Sequence, residues 1–197
     1  MNCALIIDSR PINPDIIDRH MKHLPGWELF LFIQPNSIEL KSRFKCQAAI
    51  CPMIRTLNDY NRFMTDVDFW DKLKDYDRVL IFQQDSMILR GGIEEFLEWD
   101  YVGAPWAWQP EPKFGGNGGL SLRNPKKCLT LCQEKPYNPS YGYEDVYFTN
   151  NLDNVAPYEV CRKFSCETIF EMGTLGYHAI EKYMTPDKVA KIKTQYD

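Results

Sequence analysis

The sequence has no stretch approaching the roughly 20 consecutive apolar residues that a membrane-spanning helix needs. Its opening, MNCALIIDSRP, holds only a short apolar run, carries no basic leader and meets an acid straight away, unlike a secretory signal. A soluble, cytoplasmic protein is the expectation. An excess of one charge is also missing: 23 Lys and Arg stand against 27 Asp and Glu, for a net charge of -4. Such a balance offers no field to a phosphate backbone, so nucleic acid is excluded as an expected partner. The seven cysteines (Cys3, Cys46, Cys51, Cys128, Cys132, Cys161, Cys166) contain no CxxC pair, which argues against structural zinc. Cys128 and Cys132 fall one helical turn apart and read as small apolar residues on a buried face, with reduced thiols expected throughout. Neither the GK[ST] ending of a P-loop nor a GxGxxG after a strand is present.

What is there is a chain of 197 residues, 44% hydrophobic and 14% aromatic. That is enough to bury one substantial core and short for two, so residues 1–197 are read as one domain. Cys3 to Ile7 is an apolar run suited to a buried strand. Asn13-Pro14-Asp15 supplies an N-cap, a proline at the first helical position and an acid in the first turn, with Ile16, Ile17, Met21 and Leu24 as apolar anchors. Pro25-Gly26 ends that helix, and Trp27 to Ile33 reads as the second strand of a βαβ opening. Further expectations are a helix over Thr65 to Leu73, a buried strand over Arg78 to Phe82, and a strand over Leu120 to Arg123. A helix from Asn124-Pro125 to about Gln133, a short one over Tyr143 to Asn150 and a last one from Thr185-Pro186-Asp187 complete the reading. Alternating strands and helices predict an α/β fold with a central, mostly parallel mixed sheet flanked by helices. Pro157 to Glu171 carries no pattern that assigns it.

Candidate chemistry gathers at strand ends and loops. In RVLIFQQDSMIL one carboxylate, Asp85, stands where an apolar strand leaves the core, a place that either caps a turn or holds a hard cation through oxygen. GGNGGLSLR (115–123) brings backbone amides and Asn117 within reach of a ligand, or is simply a turn. In Tyr143-Glu144-Asp145-Val146-Tyr147-Phe148, acids at a helix start can take a proton from a hydroxyl, or merely favour the helix dipole. His178, in Gly176-Tyr177-His178, is a structural histidine or a metal ligand. His20 and His23 sit three apart on the first helix and read as surface residues favoured near a helix C-terminus. Trp106 and Trp108 either stack on a sugar or anchor a loop.

The phrases LIFQQDSMIL, DYVGAPW, GNGGLSLR and EDVYF with the late GYH resemble the GT-A glycosyltransferases, more closely the short glycosyltransferase-like domains of large DNA viruses and bacteria. For a viral member, the cytoplasm would be the host's. The resemblance implies metal-dependent transfer of a sugar from a UDP- or GDP-sugar donor to a glycan acceptor. In GT-A enzymes a D-x-D motif at a strand end holds Mn2+ or Mg2+; the matching positions are Gln83 and Asp85, so the first acid is missing here. His178 would complete the metal shell. Ser9 and Arg10 match the place that cradles the nucleotide, with Tyr60, Asn61 and Arg62 as further contacts. Asn117, Gly118 and Gly119 would line donor and acceptor. Asp145 matches the base of inverting members, and Glu144 would orient the acceptor. A retaining transferase and a non-catalytic sugar- or nucleotide-binding module remain as alternatives.

Overall fold

The computed structural model describes residues 1–8, 10–35, 37–108 and 114–196. Strand β1 (Asn2–Ile6), helix α1 (Pro14–Met21) and strand β2 (Glu28–Ile33) form the expected βαβ opening. The Asn13 side chain caps α1 by accepting from the Asp15 N–H, and Pro14 occupies the first turn, where no N–H is needed. A one-turn helix α2 (Leu40–Arg43) precedes β3 (Gln47–Ile50), and α3 (Leu57–Met64) and α4 (Val67–Asp71) lead into β4 (Arg78–Phe82). There follow β5 (Ser86–Ile88), β6 (Tyr101–Gly103), β7 (Leu120–Arg123), α5 (Pro125–Glu134) and α6 (Glu144–Asn151). The unassigned stretch turns out to be α7 (Tyr158–Phe164) and β8 (Ser165–Cys166), before β9 (Gly176–His178), α8 (Ile180–Tyr183) and α9 (Pro186–Lys193). Among the described residues no helix is long and apolar enough to cross a membrane.

The main sheet runs β3-β2-β1-β4-β7-β6. Strands β1 to β4 pair in parallel, while β7 lies antiparallel to both β4 and β6. Alternation along each strand divides the core between the two faces. Cys3, Leu5 and Ile7 join Val79 and Ile81 against α3 to α6, where Trp70 and Phe148 meet edge to face. Ala4, Ile6, Leu80 and Phe82 face the other way, under Ile17 of α1 and Phe164 of α7. A second, three-stranded sheet, β5-β9-β8, stands at the C-terminal end of β4.

Cys128 and Cys132 are buried on α5 as expected, and all seven cysteines are unpaired. His20 corrects the sequence reading. It is not a surface residue but fully buried, its ring stacked on Phe82 at 4.1 Å and its Nδ1 within 2.8 Å of the Ile16 carbonyl. The α1 face that carries Ile17 also carries position 20, and an imidazole hydrogen-bonded to its own helix is apolar enough to enter the core. His23 stays partly exposed.

Burial lowers the His20 pKa to about 4, so folding holds it neutral. The unfolded chain takes up its proton first, near pH 6.5, and the stability this group contributes is lost as pH falls from there toward 4. Urea unfolding at pH 7.5 and 5 should therefore show a loss of about 2 kcal/mol that the His20→Phe variant does not share.

Candidate active site

The second sheet positions the site. Antiparallel pairing of Ser86 with His178 sets the histidine beside the end of β4, and the Ala179 N–H donates to the Asp85 carbonyl at 2.8 Å. Parallel pairing of Cys166 with Tyr177 brings the next residue, Glu167, alongside His178. Ala179 adopts a left-handed φ of 49°, rare for a residue with a side chain, and the chain turns there into α8. The turn returns Lys182 to Asp85, Nζ to Oδ2 at 3.0 Å.

His178 is buried with both ring nitrogens engaged. Nδ1 lies 3.0 Å from Glu167 Oε1, while Nε2 lies 3.0 Å from Gln83 Oε1 and 3.3 Å from Asp85 Oδ1. Burial alone would lower its pKa, but the hydrogen bonds to Asp85 and Glu167 outweigh it and raise the value. Burial alone would likewise raise Asp85, yet His178 and Lys182 hold its carboxyl well below the usual range. Arg10 Nη2 also approaches Asp85 Oδ1, at 3.3 Å, while its main partner is Asp8 at 2.6 Å. This corner thus collects two long cationic side chains, both more than half exposed, around one shielded carboxylate.

The glycine segment closes the opposite wall. Its Asn117 Oδ1 accepts from the Gly119 N–H at 2.6 Å, and its Nδ2 donates to Glu167 Oε1 at 3.0 Å. A Cβ on Gly119 would stand 2.2 Å from His178 Nε2, so close approach explains glycine there. Asp145, at the start of α6, accepts from the Val146 N–H at 2.8 Å and the Gly118 N–H at 3.3 Å. Burial, then the neighbouring Glu144, pushes its pKa up to about 7.

Gln83, Asn117, Gly118, Gly119, Glu144, Asp145, Glu167 and His178 line one cleft of about 390 Å³, together with Tyr60, Asn61, Trp106, Trp108, Tyr143, Lys182 and Tyr183, whereas Asp85 is not a lining residue and meets the cleft through His178 and Lys182. Of the residues singled out in the sequence, Gln83, Asn117, Gly118, Gly119, Glu144, Asp145, His178 and Tyr60 are brought together there, with Arg10 reaching its edge through Asp85. Ser9 lies outside the described residues. Arg62 is not in the cleft: it is exposed and lines a separate groove with Thr65, Asp66 and Pro136. Helical geometry turns position 62 away once Tyr60 and Asn61 face inward. Asn61 spends its Oδ1 accepting from the Glu144 N–H at 3.2 Å, which ties α3 to the start of α6. Trp106 is buried while Trp108 is 64% exposed, so packing describes the first and an open aromatic face the second. Glu167 and Lys182 were missed. Lys182 reaches the site only through the turn at Ala179 from β9 into α8, which no sequence pattern announces.

The donor chemistry tests the fit to a divalent cation. Among the described residues no cluster of three or more His, Cys, Asp or Glu is disposed to hold a metal ion. An amide oxygen, a carboxylate oxygen and an imidazole nitrogen nonetheless converge at His178 Nε2, separated from it by 3.0 and 3.3 Å. Neighbouring ligands of an octahedral ion bound at about 2.1 Å stand about 3 Å apart, and the His178–Gln83 and His178–Asp85 separations match adjacent positions of such a shell.

The fold, a six-stranded mixed sheet flanked by helices, matches that of GT-A glycosyltransferases. The apo-form glycosyltransferase GlyE of Streptococcus pneumoniae TIGR4 superposes with a TM-score of 0.53 at 15% identity, over 94% of this chain and 55% of that one. The chain therefore spans little more than half the length of GlyE. The galactosyltransferase LgtC, solved with donor and acceptor sugar analogs, gives 0.51 at 14% identity, over 94% of this chain and 88% of that one. The chain belongs to the family described as protein of unknown function (DUF5672), whose model matches residues 43–178. No curated protein matches it.

Glu144 has a partner that the sequence did not announce. Its two carboxylate oxygens receive Arg123 Nη1 at 2.6 Å and Nη2 at 3.0 Å, and both side chains are buried. The guanidinium also lies 4.7 Å from the centre of the Tyr101 ring. This pair fixes α6 to β7, while Glu144 also lines the cleft. Removing one partner of a buried pair strands the other charge. Glu144→Gln should therefore cost roughly 3 kcal/mol in urea unfolding. An unchanged stability with only a raised acceptor KM would point to the acceptor-orienting role instead.

Proposed function

We propose that this chain is a glycosyltransferase domain, residues 1–197, that moves a sugar from a nucleoside diphosphate carrier, UDP or GDP, to a hydroxyl of a glycan acceptor. The observation that carries this reading is one cleft lined by both Asp145, a carboxyl shifted to about 7, and Lys182, which with Arg10 flanks Asp85 at the end of β4. A carboxylate of that pKa is poised to accept a hydroxyl proton near neutral pH. Arg10 and Lys182 supply the charge type that a diphosphate leaving group demands.

Gln83, Asp85 and His178 would hold the Mn2+ or Mg2+ ion that the fold implies. When bound, the ion neutralises charge on the departing diphosphate. Asp145 takes the proton of the acceptor hydroxyl as that oxygen bonds to the anomeric carbon. The bond from that carbon to the diphosphate oxygen breaks, and the nucleoside diphosphate leaves with the electron pair. A single displacement inverts the anomeric centre. Gly118 and Gly119 let the sugar approach backbone, Tyr60 backs the cleft, and exposed Trp108 offers an apolar face to an acceptor ring. Glu144 acts as a positioning residue through Arg123.

The missing first acid at Gln83 favours a second reading, a non-catalytic nucleotide-sugar-binding module, and turnover separates the two. Under the catalytic reading Asp145→Asn lowers turnover roughly a hundredfold or more with donor affinity nearly intact. Protonated Asp145 cannot accept, so turnover should also fall as pH drops below about 7. A parent rate flat from pH 5 to 8, an active Asn variant, or retained configuration in the product by NMR would reject Asp145 as the base.

A further inference from the structure

We infer that Glu167 is the positioning residue that makes His178 a metal ligand and locks it to the glycine segment. The inference rests on the metal site proposed above. An imidazole can bind a cation through Nε2 only if its proton sits on Nδ1, and an acceptor at Nδ1 fixes that tautomer and the ring plane. Glu167 Oε1 stands at that place, 3.0 Å from Nδ1, while Nε2 faces the oxygens of Gln83 and Asp85. The same Oε1 receives the Asn117 side-chain amide at 3.0 Å, and that amide's oxygen accepts from Gly119. One carboxylate oxygen therefore sets both the ring that meets the cation and the segment that would meet the sugar.

Glu167 is 3% exposed, and its second oxygen is buried with no hydrogen-bond partner among the described residues. A buried carboxylate oxygen left unsatisfied costs free energy. The charge has a use at this position: it raises the basicity of the ring and so strengthens Nε2 as a ligand. The β8–β9 pairing enforces the juxtaposition, since Cys166 opposite Tyr177 places the following residues side by side.

Mn2+ affinity, read by the free-ion EPR signal with no sugar or nucleotide present, tests this. The parent, Asp85→Ala, Glu167→Gln and Glu167→Met are compared. Gln keeps one acceptor oxygen and loses the charge, so affinity should drop roughly tenfold; Met keeps neither, and the loss should approach a hundredfold. Equal affinity in the parent and both Glu167 variants overturns the inference while leaving the metal site standing. A parent that binds Mn2+ no better than Asp85→Ala sinks the metal site itself. Should the variants not fold, imidazole nitrogen NMR of the parent bound to Mg2+ decides instead. His178 protonated at Nδ1 supports the inference, and His178 protonated at Nε2 overturns it.

Discussion

Everything at the site depends on how β9 is clamped between β5 and β8. The pairing is only a few residues long, yet it fixes His178 against the end of β4 on one side and Glu167 on the other. The histidine then dictates its surroundings. Gly119 has no side chain because His178 Nε2 occupies the space that a Cβ would take. The Gly119 carbonyl in turn accepts from the Gln83 N–H at 2.8 Å, which returns the constraint to β4. Hydrogen bonds run from Asp145 through Gly118, and from Gly119 through Asn117 and Glu167, into the ring. The proposed base and the proposed metal ligand thus share one scaffold.

Charge is arranged with equal economy. Glu144 is neutralised by Arg123 within the core, yet it stays near enough to Asp145 to help raise its pKa. One buried pair therefore both anchors α6 and tunes its neighbour. On the far side of the cleft, Asp85 keeps its negative charge under the influence of His178 and Lys182. Asp145 lines the cleft and Asp85 contacts its lining residues His178 and Lys182, and the two carboxyls carry opposite shifts, the condition under which one group serves as a base and the other as a fixed charge.

The βαβ opening, β4, β7, α5 and α6 were legible because apolar runs and capping residues announce them. Asn13-Pro14 and Asn124-Pro125 cap α1 and α5 as their sequences suggest. The short strands β5, β8 and β9 were not legible: two or three residues carry no periodicity, and only tertiary pairing makes them strands. Helix α3 did have a signal, the Thr56 and Asp59 capping box, and placing it would have shown that Arg62 faces away from Asn61. Asp85, Asp145 and His178 could be picked out one by one from motif phrases. Glu167 could not, because it owes its place to the register of β8 on β9 within a stretch that no pattern assigned.

The proposed function requires the cleft to bind a nucleoside diphosphate with a cation at Gln83, Asp85 and His178. Thermal unfolding with UDP or GDP, in Mn2+ and in chelator, addresses it directly, because a ligand held only by the folded state raises Tm with its occupancy. The account predicts a clear rise for at least one of the two nucleotides in Mn2+ and a much smaller one in chelator. A Tm unmoved by either nucleotide under both conditions would contradict it.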